Sequence, residues 1–511
     1  MGCRDSDIGD RPAASWRIPF ERLSVPFPPL SATPCANLTM EEAAMMHNST
    51  RERKEKPARL SVSLLERIQP DAAGIDCGQN SHFVAVPPDR DPQPVREFRT
   101  FTADLHRLAD WLVQCGVKTV AMESTGVYWI PLYEILEQRG FQVVLVNARD
   151  VHNVPGRKSD VKDCEWLREL HSVGLLRASF RPAAAIVPLR SFMRQRETLV
   201  EEAATRIQRM QKALTEMNLK LHTVLTDLTG QTGLRIVRSI LEGDRDPEQL
   251  AAHRNYRCHA SHAEIVAALT GNYRAEHLFA LRQNFAAYEF LLKQIAECDT
   301  EIERLLTTLA AQQPPPSAPL PVARRKRASK HQPQFDIRGP LHRLTGGTDL
   351  SQIDSIGPQA ALQLIGEIGT DMTRWPTEKH FTSWLALAPN NKISGGRLLS
   401  SRTPPSANRA AVILRRCAMS LTKTSTALGA FYRRLAMRVG KAKALTATAR
   451  KLAVLVYRVL SSKLVYNDPG ADAYHQLNRT RELKSLRKRA KLFGFDLLDR
   501  ATGEVLVNPV F

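Results

Sequence analysis

Apolar and polar positions change rhythm several times along this chain. The stretch GIDCGQNSHFVAV, beginning at Gly74, enters as an apolar run, passes through small polar residues and returns as an alternating run. That is the pattern of a strand turning into a hairpin partner. Helical spacing follows from Thr102 to Gln114. Val117 to Ser124 reads as a second apolar strand, closed by Thr125-Gly126 and followed by helical spacing from Tyr128 to Gln138. Phe141 to Val146 is the next strand, and GRKSDVKDCEWLREL carries the start of a helix. The order strand, hairpin, helix, strand, helix, strand, helix implies a mixed sheet flanked by helices, and an RNase H-like fold fits it.

The period then lengthens. Ala203, Ile207, Met210, Leu214, Met217 and Leu221 fall alternately four and three apart, and so form a coiled-coil seam. A second seam runs through Leu281, Phe285, Tyr288, Leu292, Ile295, Ile302 and Leu306. Two such helices form either an antiparallel hairpin within one chain or an interface between chains, and the dimer is the favoured reading. The expected organisation is a disordered or over-extended amino terminus (1–71), an α/β catalytic domain (72–182), a helical dimerisation region (183–310), a proline-rich basic linker (311–347), a mainly helical domain (348–465) and a basic tail helix (466–511). The tail, LNRTRELKSLRKRAKLFGF, reads as amphipathic.

A length of 511 residues accommodates about three or four domains. A formal net charge of +20 points to a polyanionic partner, most simply nucleic acid, with a general basic bias as the plainer explanation. No apolar run approaches a bilayer-spanning length, and no basic segment followed by an apolar stretch opens the chain, so cytoplasmic, nucleoid-associated residence is expected. The eight cysteines are scattered without metal-binding spacing, which predicts reduced thiols and no structural zinc.

Four carboxylates carry the candidate chemistry. Asp76 lies in the first strand and Glu123 at the end of the second. Asp160 and Asp163 share one face of a helix's first turn. Hard cations take oxygen ligands, so acids gathered from separate elements can hold magnesium. Two such ions clamp the attacking and leaving oxygens of a phosphoryl displacement. Against this, Asp160 with Asp163 also fits a helix cap, and Asp76 fits an ordinary turn acid. Ser394 precedes Gly395-Gly396 and is flanked by Lys392 and Arg397. It is either a nucleophile assisted by nearby cations or part of a plain turn. Gly357-Pro358 opens a helix in IDSIGPQAALQLIGEIG. It reads as a phosphate-gripping helix-hairpin-helix element or as a simple helix start.

The segments GIDCGQNSH, AMESTGVYW, NARDVHNVPGRKSDVKDCEWLRELHSVGLLRASF and IGPQAALQLIGEIG with FTSWLALAPNNKISGGR make the chain resemble the DEDD transposases of circle-forming bacterial insertion sequences, the bridge-RNA-guided recombinases. The resemblance covers roughly residues 72 to 490. It implies a RuvC-like amino-terminal domain whose four acidic magnesium ligands are Asp76, Glu123, Asp160 and Asp163, with two ions bound and manganese as the substitute. It implies that Ser394 attacks a DNA phosphate, in a composite site with acids from one subunit and serine from another. The expected partners are element and target DNA, a structured guide RNA and further copies of the chain, as dimer or tetramer. Lys158, Lys162, Lys392 and Arg397 are the candidate nucleic-acid contacts. Two rival readings remain: a Holliday-junction resolvase using water as nucleophile, and an inactive DNA- or RNA-binding derivative.

Overall fold

The computed structural model describes residues 66–147, 160–324, 332–500, 503 and 505. Most of the expected amino-terminal segment, the Asn153–Ser159 stretch with Lys158, and residues 325–331 of the expected basic linker lie outside these residues. The chain divides into two compact units, Met1–Ser179 and Phe180–Phe511.

In the first unit, β1 (Ala72–Cys77), β2 (Ser81–Ala85), β3 (Val95–Arg99), β4 (Thr119–Glu123) and β5 (Gln142–Val146) form one sheet in the order β3-β2-β1-β4-β5. The β1–β2 and β2–β3 pairs are antiparallel, whereas β1–β4 and β4–β5 are parallel. This is the mixed sheet of the RNase H-like fold. All five residues of β4 are buried, as a strand covered on both faces requires. The edge strand β3 instead carries Arg96, Glu97 and Arg99 among its five residues and stays partly open.

Helices cover both faces. Helices α1 (Thr102–Gln114) and α2 (Trp129–Gln138) bury Leu108, Leu112, Leu132 and Leu136 with Ile75, Val84 and Met122. From α3 (Asp160–Ser172), Leu167 packs with Ala121 and Val146, which belong to the opposite face. The parallel strands therefore end together at one edge, beside the first turn of α3.

The second unit is helical apart from one hairpin. Its frame is a pair of long helices, α4 (Val187–Glu216) and α9 (Ala275–Ala311). Between them come α5 (Leu221–Val224), α6 (Gln231–Glu242), α7 (Pro247–Ala252) and α8 (His262–Leu269). Helices α4 and α9 run antiparallel. Ile186 and Leu189 share a core with Ile302 and Leu306, while Met210 and Leu214 share another with Leu281 and Phe285. Between these cores the Arg196 guanidinium donates to both Asp299 carboxylate oxygens, at 2.5 and 3.1 Å. The two predicted seams thus meet each other inside one chain. Of the two readings left open, the internal hairpin is the one formed, and the seams themselves are not available to a partner.

The remaining elements are α10 (Arg338–Leu344), α11 (Pro358–Ile368), α12 (Glu378–Trp384), β6 (Lys392–Ser394), β7 (Arg397–Ser400), α13 (Arg409–Ser420), α14 (Ala427–Val439), α15 (Lys441–Ser462) and α16 (Gly470–Leu492). The end of the linker is tied down: Arg324 pairs with Asp354 at 2.7 Å, and Arg338 donates to the Pro321 carbonyl at 2.8 Å. The tail forms as α16, but none of its residues is buried. Its cations occur all round the helix and Leu477 and Leu486 stay exposed, so the expected apolar face is absent. Among the described residues no helix is long and apolar enough to cross a membrane.

Candidate active site

The position of the acids begins with a glycine. A Cβ at Gly74 would lie 2.3 Å from the Cys164 carbonyl oxygen and 2.4 Å from the Arg168 nitrogen, so only glycine lets α3 lie directly on β1. Residues two apart on a strand share a face, so Asp76 points to the same side as Gly74. The helix pressed against Gly74 begins with Asp160 and Asp163. One oxygen from each of Asp76, Asp160 and Asp163 lies within 4.8 Å of the others. Asp160 is exposed and the other two are half-buried. A group of oxygen donors open to solvent on one side suits a hard divalent cation that keeps some of its water.

Glu123 is not one of those three. It is buried at the end of β4, and its Oε1 accepts a hydrogen bond from Thr125 Oγ1 at 2.8 Å. It is nevertheless close by. The Cys77 thiol is pushed upward, first by burial and then by the Asp76 and Glu123 carboxylates together. Cys164, next after Asp163, is pushed up to about 12 by burial first and then by Glu165, with Asp76 as a lesser cause. These thiols therefore stay protonated and add no ligand charge to the carboxylate group.

Ser394 belongs to the second unit. Helix α12, just before it, is held by rings: Phe381 is buried, Trp375 and Trp384 lie 4.8 Å apart, and Phe180 sits 4.8 Å from Trp375. After Leu387 the chain leaves this core. β6 and β7 pair antiparallel, with Ser394 opposite Arg397, and Gly395 and Gly396 make the turn at φ +53° and +74°. Two consecutive positive φ values are the geometry of a tight hairpin turn, which explains the glycine pair. Every residue from Asn391 to Leu399 is exposed. The Asn390 amide closes the base by donating to the Arg402 carbonyl at 3.0 Å. Asn408 then caps α13 by accepting from the Ala411 amide at 3.1 Å.

Lys392 and Arg397 flank Ser394 on this exposed hairpin, and Lys162 is exposed on the first turn of α3. Pro358 occupies the first turn of α11 after Gly357, which provides no side-chain cap. Sequence reading gave Gly74 and Thr125 no part in the site. The Gly-x-Asp spacing held a clue to the first, since a glycine on the ligand's own strand face marks a close backbone approach.

Two family models match the chain. The first, a transposase model of the DEDD type, covers residues 73–219, and the second, the transposase IS116/IS110/IS902 family, covers residues 347–433. The first match contains Asp76, Glu123, Asp160 and Asp163, and the second contains Ser394. No curated protein matches the chain.

Proposed function

Because the chain belongs to the IS116/IS110/IS902 family of DEDD transposases, we propose that it cuts and rejoins the DNA strands of an insertion sequence through a serine–phosphate intermediate, guided by a structured RNA. The observation that carries this reading is the convergence of Asp76, Asp160 and Asp163 at the sheet edge. These residues, with Glu123 beside them, would hold divalent magnesium, which when bound would polarise a phosphate oxygen and stabilise an oxygen leaving group. Asp76 is fixed by its strand and the two aspartates of α3 by the Gly74 contact, so the ligands need little rearrangement on binding. Thr125 orients the Glu123 carboxylate through its hydrogen bond.

Ser394 supplies the nucleophile. Its Oγ forms a bond to phosphorus as the bond from phosphorus to a sugar oxygen breaks. The serine proton leaves Oγ, and the departing sugar oxygen ends as a hydroxyl. A sugar hydroxyl of an exchanged strand then reverses the step and frees the serine. The phosphodiester energy is retained throughout, so the cycle needs no nucleotide hydrolysis. Lys392 and Arg397 neutralise the DNA phosphate beside the hairpin, and their solvent exposure leaves both reachable by a strand. Base pairing with the RNA selects the target, which removes the need for side chains that read base edges.

The acids of one copy act with the serine of another. Mixing tests this reading. Asp160→Asn and Ser394→Ala proteins are each incubated with magnesium, the RNA from the flanking DNA, and donor and target duplexes, and are then combined. Neither alone forms recombinant junctions, while the mixture recovers part of the wild-type yield. A Ser394→Ala protein that cleaves at the wild-type rate overturns the serine step in favour of water as nucleophile.

A further inference from the structure

The β6–β7 hairpin has two unlike faces. Ser394 pairs across it with Arg397 and Lys392 with Ser400, while Ile393 pairs with Leu398. Neighbours along a strand point to opposite sides, so Ser394, Lys392 and Arg397 occupy one face and the Ile393–Leu398 pair the other. A break in register between Lys392 and Ile393 leaves Leu399 as an extra, bulged residue. All three aliphatic side chains are open to solvent: Ile393 is 64%, Leu398 57% and Leu399 68% exposed. Single exposed apolar residues are ordinary, but here three gather on a short element with no core of its own.

The charge around this face has one sign. From Lys379 to Asn467 the sequence contains seventeen Lys and Arg and no Asp or Glu. Arg409 and Arg416 are paired with Glu197, and Arg458 with Glu378. Lys392, Arg397 and Arg402, by contrast, are exposed and make no ion pair among the described residues. An apolar centre rimmed by unneutralised cations fits a polyanion that also offers apolar surface, and DNA, with stacked bases inside a phosphate backbone, is one. A protein partner fits less well, because a standard interface covers roughly 800 Å² on each side, and three side chains near the tip of a hairpin fall well short of that.

We propose that Ile393 and Leu398 form a wedge that enters the base stack beside the phosphate attacked by Ser394. Aliphatic side chains inserted at a base step part the bases and bend the duplex there. In a nucleotide the sugar stands between phosphate and base. A strand lying across the hairpin edge therefore presents its phosphate to the Ser394 face and its base to the Ile393 face. Parting the step also releases the phosphate from regular helical geometry, which lets the hydroxyl approach in line with the bond to be broken. The wedge makes no hydrogen bond to a base edge, in keeping with target choice by RNA pairing. This inference deepens the proposed function and rests on the chain's action on DNA, but not on the serine step.

Donor duplexes carrying 2-aminopurine beside the cleavage site test it, because this base brightens when it loses its stacking neighbours. The Ser394→Ala protein, with magnesium and RNA, binds such a duplex and brightens it. The brightening disappears when Ile393→Ser and Leu398→Ser are added, although the duplex stays bound through the unchanged cations. With Ser394 present, the same two substitutions slow formation of the protein–DNA adduct by about 10-fold or more, and Ile393→Leu preserves the rate. A donor mismatched at that step, already unstacked, restores the rate of the double variant, a recovery that loss of folding cannot mimic. No brightening with the aliphatic pair intact, brightening that survives both substitutions, or equal slowing on paired and mismatched donors overturns the proposal; the last result would mean that a protein surface covers this face. Brightening as stated with no adduct in the wild type leaves the wedge standing and removes the serine step, whereas an adduct without brightening does the reverse.

Discussion

Asp76 stands near the end of a strand whose neighbours are buried on both faces of a sheet, whereas Ser394 stands on a two-stranded hairpin in which Asn391 to Leu399 are all exposed. The first arrangement fixes carboxylates through backbone contacts such as Gly74 against Cys164. The second leaves a hydroxyl on a short element that draws little stability from its own pairing. Ligands that share an ion must be held in place before it binds. On the proposed serine step, a nucleophile that stays bonded to one DNA end while strands exchange benefits from a support that can move. The contrast suggests that damage to the backbone contacts of the first region costs folding and chemistry together, while damage to the hairpin costs chemistry alone.

Predictions sharpen that contrast in order of size. The largest effect is on chemistry. Asp76→Asn or Asp160→Asn lowers strand cleavage by about 10³-fold or more, equivalent to several kcal/mol. Removing one of three neighbouring like charges leaves the thermal midpoint unchanged or raised. Cleavage assays and melts on the same samples separate the two effects.

Next comes Gly74→Ala, whose new methyl group meets backbone atoms of α3. It destabilises the first unit by about 1–3 kcal/mol or more, read from urea unfolding, and reduces cleavage with it. Gly396→Ala provides the comparison. It strains the exposed turn, so joining slows while the unfolding midpoint of the second unit stays put.

Acid should also affect the sheet unit. His82 and His171 are both buried, and burial lowers each from the ordinary 6.5 to about 4. His171 Nε2 additionally shares a 2.8 Å hydrogen bond with Thr119 Oγ1. The unfolded chain therefore takes up these protons at a higher pH than the folded one. Stability is full above about pH 6.5 and falls as the pH drops towards 4, by up to about 3 kcal/mol per histidine. Urea midpoints at pH 7.5 and pH 5 measure the fall; a flat profile would place both rings in contact with water.

The smallest expected change is Asn408→Ala, which removes the cap of α13 just beyond the hairpin. It costs about 1 kcal/mol of stability, measured by the same unfolding method, and leaves metal-dependent DNA cleavage almost unaffected.

Local pattern foretold much of the sheet unit. Thr102–Gln114 appears with the predicted bounds, and the strands ending at Glu123 and Val146 end where apolar rhythm stops. Such features depend on neighbours in sequence. The meeting of Asp76 with Asp160 and Asp163 depends instead on a glycine facing a helix some ninety residues later, and no periodicity encodes that partner. The seams of α4 and α9 were legible as seams, but a heptad pattern does not say which helix fills it. The tail's scattered leucines suggested a face that its evenly spread charges prevent. The glycine pair after Ser394 announced a turn, yet the isolation of that turn from any core follows from where α12 and α13 are anchored.

The most direct test of the account is a search for the covalent intermediate. Wild-type and Ser394→Ala proteins are incubated with magnesium, RNA and end-labelled DNA, quenched in denaturant and separated by size. The account predicts a labelled protein–DNA adduct in the wild type, absent from the variant and from a reaction without divalent metal. Strand cleavage with no adduct, equal in both proteins, would contradict it and leave water as the nucleophile.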